Sequence, residues 1–413
     1  MRARLILWAA FAIVHLFVAW LGALEPNQPM GDVYFVYEPW STAALKGAGI
    51  VGITETWVYP HLALAPMILA HAFAWIGNYI IGWAVLVTLC NAVGFWVLVG
   101  DGRSRSRRAA AGFWLAFVLA VGPVGMYRID AITVPLAIAA LLWLVRRPML
   151  SAAMLTAGAW IKIWPAALVA TAFVAMRRRW DIVAGALVTT AVVVAVVLVS
   201  GGAPHLLGFV TEQTGRGLQI EAPLATPYLW GAAAGLPGWS LYYDQEILTF
   251  QVSGPGVDVV SAVLTPVLAL LAAGVALLGA AKVRRGASFA RLMPPLALAL
   301  VLVLIVVNKV GSPQFHVWLI APIAFWLVVD RRRAFPLAAL ALLSAALTHL
   351  LYPIVYWQLL SAEPLGVAVL TARNVVLVAL LTWTLVRLAR VPVVPRAAAA
   401  SPARPARDTE PAS

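Results

Sequence analysis

Apolar residues in this chain run in long blocks separated by short polar interruptions. Blocks such as 182–200 and 257–280 reach the roughly 17–25 residues that a helix needs to cross a hydrocarbon core about 30 Å thick. The same pattern predicts spans near 5–24, 80–100, 109–126, 131–146, 293–308, 316–330, 335–353 and 368–388. No run of short alternating segments, the mark of a membrane β-barrel, is visible. The expected fold class is an all-α polytopic membrane protein, a bundle of about 10–12 transmembrane helices forming one domain over residues 1–389.

Two blocks, 59–76 and 151–176, resist this scheme. Basic clusters at 2–4, 103–108, 146–147, 177–179, 282–291 and 331–333 lie between spans and mark the cytoplasmic side. A full crossing by either block would invert everything after it. Each block carries a proline beside polar groups, Tyr59-Pro60-His61 and Trp160-Ile161-Lys162-Ile163-Trp164-Pro165. Both are expected to be re-entrant, surface-lying or broken helices. Irregular backbone at membrane depth is tolerated only where it is buried in protein or lines a watery cavity. The threading puts two long loops, 25–58 and 201–256, on the outer face. It leaves a Pro/Ala-rich tail, 390–413, expected to be disordered, in the cytoplasm.

Composition sharpens the class. Only 11% of the 413 residues are charged and 63% are hydrophobic, against about 25% charged in a soluble domain. The net charge of +13 would suit a nucleic acid, but its confinement to clusters between spans records topology instead, so no nucleic-acid partner is expected. The single cysteine, Cys90, lies inside a span and has no internal disulfide partner. The run 5–24 imitates a signal peptide; with so many spans behind it, a retained first helix in a multi-pass plasma-membrane protein is the expectation.

Polar groups near spans are costly and therefore informative. Lys162 lies deep in an apolar stretch and reads as an anion ligand, most naturally for phosphate, or as a lysine snorkelling to the interface. Arg128 and Asp130 sit between two spans, either as a structural pair at a tight turn or as a substrate-facing arginine with a supporting carboxylate. Arg373 and Lys309 fall near span ends, where boundary anchoring is the plainer role. Gln314, His316 and Trp318 arrive together after a Gly-Ser-Pro break, placed to hydrogen-bond a sugar or phosphate, although a lone histidine near a span is more often structural. In the second loop, Arg216, Gln219 and Glu221 are ordinary surface unless the loop folds back over the first. The first loop holds Glu25, Asp32, Glu38 and Glu55 against one lysine, Lys46. No His or Cys spacing suits a metal and no Gly-rich phosphate loop occurs, so neither metal nor cofactor is expected.

An outer-face carboxylate, cations near the outer leaflet and many aromatic rings suit sugar transfer from a lipid phosphate. The acceptor hydroxyl needs a general base, the leaving phosphate needs Lys or Arg, and an apolar groove open to the bilayer would admit the donor's tail. The stretches GDVYFVYEPW, WVYPHLALAPM, WIKIWP, RGLQIEAP and NKVGSPQFHVWLIAP, in that order between about residues 32 and 322, together resemble glycosyltransferase family 87. These are GT-C-class polyprenyl-phosphate-sugar transferases of actinobacterial type, mostly mannosyltransferases.

The resemblance implies a GT-C-like bundle and a catalytic carboxylate on the first outer loop, where Asp32 stands. Many relatives have Tyr-Pro-Pro where this chain has Tyr59-Pro60-His61, and a serine where it has Ala222. Many also place an acidic residue shortly before that tyrosine; here it is Glu55, the alternative base. A helix cap is the structural alternative for Asp32. The expected protein is an inverting hexosyltransferase, for mannose in the first place. It would take the sugar from a polyprenyl-phosphate donor and add it to an extracytoplasmic lipid or glycan acceptor. Lys162, Arg128, Arg216 and Arg373 are candidates for the donor phosphate, and Tyr59, His61, Glu221, Gln314 and His316 for substrate contacts. An arabinofuranosyl donor within the same class, or a transporter or flippase, are the rival readings.

Overall fold

Residues 2–393, apart from 246 and 248, are described by a computed structural model. Among the described residues eight helices are long and apolar enough to cross a membrane: Arg2–Leu24, Tyr79–Val99, Arg105–Gly125, Arg179–Val199, Val257–Arg284, Phe289–Val306, Arg331–Ile354 and Pro364–Ala389. The chain is a multi-pass helical membrane protein. Basic ends of these helices meet one another: Arg4 packs on Gly102, Lys282 donates to the Ala389 carbonyl at 2.5 Å, and Arg291 reaches Asp330 at 3.4 Å. The tail 394–413 lies outside the described residues.

Two expected spans come out short, Asp130–Trp143 and Pro313–Val329. Both begin inside the protein, where Asp130 is 0% and His316 1% exposed. The chain reaches the first start through buried irregular backbone and the second through half-buried backbone, each held by hydrogen bonds to other parts of the protein. Trp83 donates to the Met126 carbonyl at 3.0 Å, and the Ile129 N–H donates to the Tyr37 hydroxyl at 3.2 Å. Likewise the Gln219 N–H donates to the Lys309 carbonyl at 3.0 Å.

The block 151–176 is a broken helix. One half, Pro148–Ile161, stops at Lys162, whose extended backbone (φ −150°, ψ 131°) ends the helix. The second half, Pro165–Ala175, restarts at a proline whose missing N–H costs nothing in a first turn. Trp164 fastens the break by donating to Thr133 at 2.9 Å and stacking on Trp318. The halves form a hairpin. Met149 and Ala152 pack on Gly185 near the basic start of Arg179–Val199, and Val174 packs on Gly279 near the basic end of Val257–Arg284. Lys162 is therefore the hairpin's tip, at the far end from both basic ends. The block 59–76 is short rather than broken: extended Pro60 leads into one helical stretch, His61–Ile76, tighter at both ends, and Asn78 caps the next helix by accepting from the Ile81 N–H at 3.0 Å.

The second long loop departs from the all-helical expectation. Strands Ser240–Asp244 and Thr249–Ser253 pair antiparallel with Tyr242 opposite Gln251, and tyrosine, phenylalanine and valine on them favour that pleated surface. The segment 218–220 bonds along the second strand, Ile220 N–H to the Phe250 carbonyl at 3.2 Å and Val252 N–H to the Leu218 carbonyl at 3.0 Å. This clamp presses Glu221 and Ala222 onto Gly311, where a Cβ would fall 2.1 Å from the Ala222 nitrogen.

Candidate functional site

Asp32 precedes the turn Val33–Tyr37 but makes no side-chain cap bond. Its carboxylate instead forms an ion pair with Arg128. The other arm of Arg128 donates to the Tyr352 hydroxyl at 3.1 Å. The adjacent charges of Arg128 and Asp130 do not pair with each other. The turn into Asp130–Trp143 sends them apart, and Asp130 takes Lys162 at 3.6 Å and the Trp318 N–H at 2.6 Å. Lys162 does not snorkel: its side chain is 12% exposed, and its ammonium lies 4.5 Å from the centre of the Tyr59 ring.

Arg373 is not a boundary anchor. It lies well inside Pro364–Ala389 and is 2% exposed. It donates to a Glu221 carboxylate oxygen and to the Glu221 carbonyl, each at 2.6 Å. Tyr356 is close enough to Glu221 to feel its charge and packs edge-on against Tyr352 at 4.8 Å. An arc thus runs Asp32, Arg128, Tyr352, Tyr356, Glu221, Arg373. His316 stands near Arg373; its Nδ1 lies 3.2 Å from the Pro313 carbonyl, and its buried Nε2 has no partner among the described residues. Gln314 is half-buried and accepts from Ser312 at 2.5 Å. Arg216, on the second loop, donates to the Glu212 carbonyl at 3.4 Å and is close enough to Tyr59 to interact with it electrostatically; burial lowers the pKa of Arg216 and raises that of Tyr59.

Two candidates stand apart. Glu55 is exposed in the turn 50–55, where its carbonyl accepts from Gly52 at 2.9 Å, and no contact with the arc is seen among the described residues. His61 bonds the Gly52 carbonyl at 2.9 Å and turns its ring toward Trp160 and Phe209. Those rings edge an apolar groove of about 540 Å³ between the two halves of the hairpin and Arg179–Val199. Trp160 and Ile163, two of its walls, lie within two residues of Lys162 along the chain.

Three features of the site escaped the sequence reading: Asp130 as the partner of Lys162, and the tyrosines 352 and 356. A signal existed, since Tyr352-Pro353 repeats the Tyr59-Pro60 dipeptide. The three carboxylates are not equivalent. Asp130 and Glu221 expose 1% and 3% of their side chains, Asp32 exposes 32%. Of the three, only Asp32 keeps an accessible carboxylate. Arg128 Nε and His316 Nε2 are buried polar atoms without a partner among the described residues; such groups cost about 1–3 kcal/mol each unless a ligand or water satisfies them. Among the described residues no group of three or more His, Cys, Asp or Glu could hold a metal ion. The chain matches no protein-family model, no curated protein and no solved structure.

Proposed function

We propose that this protein is a membrane glycosyltransferase of the GT-C type, moving a hexose, mannose in the first place, from a polyprenyl-phosphate donor to an extracytoplasmic lipid or glycan acceptor. The acceptor oxygen attacks the anomeric carbon from the face opposite the phosphate. Asp32 takes the hydroxyl proton, the bond from the anomeric carbon to the phosphate oxygen breaks, and the leaving polyprenyl phosphate carries away the electron pair. Lys162 and Arg128 offset the charge that develops on it, with Arg216 approaching from the second loop.

The observation that supports this reading most is the placing of one accessible carboxylate, Asp32, beside cations that are otherwise enclosed. Lys162 lies close enough to Asp32 to feel its charge. The apolar groove along the hairpin, whose walls include Trp160 and Ile163 on either side of Lys162 in the chain, supports a donor with a long lipid tail. The purified protein in vesicles, given a radiolabelled polyprenyl-phosphate hexose and a membrane lipid extract, should form labelled glycolipid. Movement of the donor lipid across the vesicle with no transfer would establish the transporter reading instead, and transfer only from an arabinofuranosyl donor would change the sugar.

A further inference from the structure

The end of the bundle away from Asp32 holds a second cavity, of about 390 Å³. Arg291, Arg333, Arg387 and Arg390 line it, brought together from the start of Phe289–Val306, the start of Arg331–His349 and the end of Pro364–Ala389. Among the described residues Asp330 is the one carboxylate in its wall. It is shared between Arg333 at 2.7 Å and Arg291 at 3.4 Å. Four guanidinium groups against one carboxylate leave a surplus of positive charge facing one small volume.

The cavity is a built feature rather than a frayed helix end. Lys282 donates to the carbonyls of Ala389 and Val391, at 2.5 and 3.1 Å, and so ties down the turn that carries Arg390. Arg387 lies over the Trp383 ring, 5.9 Å from its centre. Pro295, Trp326 and Val386 supply an apolar wall behind the charges. Arg387 follows Arg373 by fourteen residues on one helix, about 21 Å at 1.5 Å per residue, so this cavity is distinct from the sugar site.

Guanidinium groups match phosphate oxygens in pairs, and a basic pocket between helices at the basic end of a membrane bundle lies where lipid phosphates lie. The apolar wall suits the first carbons of a lipid rather than a free ion. A zwitterionic headgroup would bring its own ammonium against the arginines. We propose that this cavity binds the phosphate headgroup of an anionic phospholipid and staples the three helices together.

The full-length protein, exchanged into phosphatidylcholine nanodiscs, is titrated with phosphatidylglycerol and, separately, with inorganic phosphate, and lipid retention is read by native mass spectrometry. The double variant Arg291→Gln/Arg387→Gln should lose phosphatidylglycerol affinity by about tenfold or more, the size of one or two lost charge-assisted contacts. Arg331→Gln/Arg332→Gln removes the same charge from exposed positions outside the cavity and should change it less than about twofold. Equal losses in both doubles, or undiminished binding in the first, would overturn the proposal. So would saturation by inorganic phosphate with no preference for the lipid, which would mark a small-anion site. If the first double does not purify as a folded protein, Arg390→Gln, at an exposed position in the same wall, should still weaken lipid binding several-fold, and no change there would count against the proposal.

Discussion

Lys162 and Asp130 meet at 3.6 Å inside the bundle, joining the point where one helix stops to the point where another starts. Neither residue could sit there alone. An enclosed charge without its partner costs about 3–5 kcal/mol, so the pair holds the hairpin tip against the Asp130–Trp143 helix.

Replacing Lys162 by methionine should therefore do two separable things. Stability should fall by about 3–5 kcal/mol because Asp130 is left uncompensated, read as a lower unfolding midpoint. The double variant Lys162→Met/Asp130→Asn should recover most of that loss, because an asparagine oxygen can still accept from Trp318, while the affinity for a lipid-phosphate donor stays low.

The Glu221 and Arg373 pair, both nearly sealed from solvent, tests the clamp made by the second loop. Arg373→Met should destabilise by about 3–5 kcal/mol, and Glu221→Gln by less, because the glutamine oxygen and the backbone carbonyl still accept from the guanidinium. The two are compared by thermal unfolding in one detergent.

Gly311 gives a test that touches no charge. A methyl group at this position would overlap the backbone at 221–222. Gly311→Ala should push Glu221 off Arg373 and cost about 1–3 kcal/mol, with a matching increase in proteolysis of the loop 201–256.

The groove makes a prediction about chain length. Ala170 lines it and is exposed. Ala170→Trp should raise the apparent KM for a long polyprenyl donor by about tenfold, the effect of losing a few buried methylene contacts. The effect on a short-chain analogue should be small and the unfolding midpoint unchanged. An equal effect on both donors would detach the groove from the tail.

Much of this arrangement was legible in the apolar pattern. The long spans announce themselves by length, and Lys162 by the conflict between its charge and its surroundings. The pairing of charges was not legible, because chain neighbours such as Arg128 and Asp130 suggest each other as partners while the turn between them sends each to a residue 32 to 96 positions away. Arg373 looked like a boundary residue because a sequence cannot show that a loop some 150 residues earlier returns to cover it. The hairpin at 240–253 carries no strong local signal and takes shape against the segment 218–220.

The central claim is that Asp32 is the base of a sugar transfer. The most direct measurement is the transfer of radiolabelled mannose from polyprenyl-phosphate mannose to membrane lipid by purified wild type and Asp32→Asn, with unfolding midpoints recorded to show that both are folded. The account predicts a loss of about 100-fold or more in the variant, the share that a positioned base contributes, with donor binding retained. Transfer undiminished in folded Asp32→Asn would contradict it.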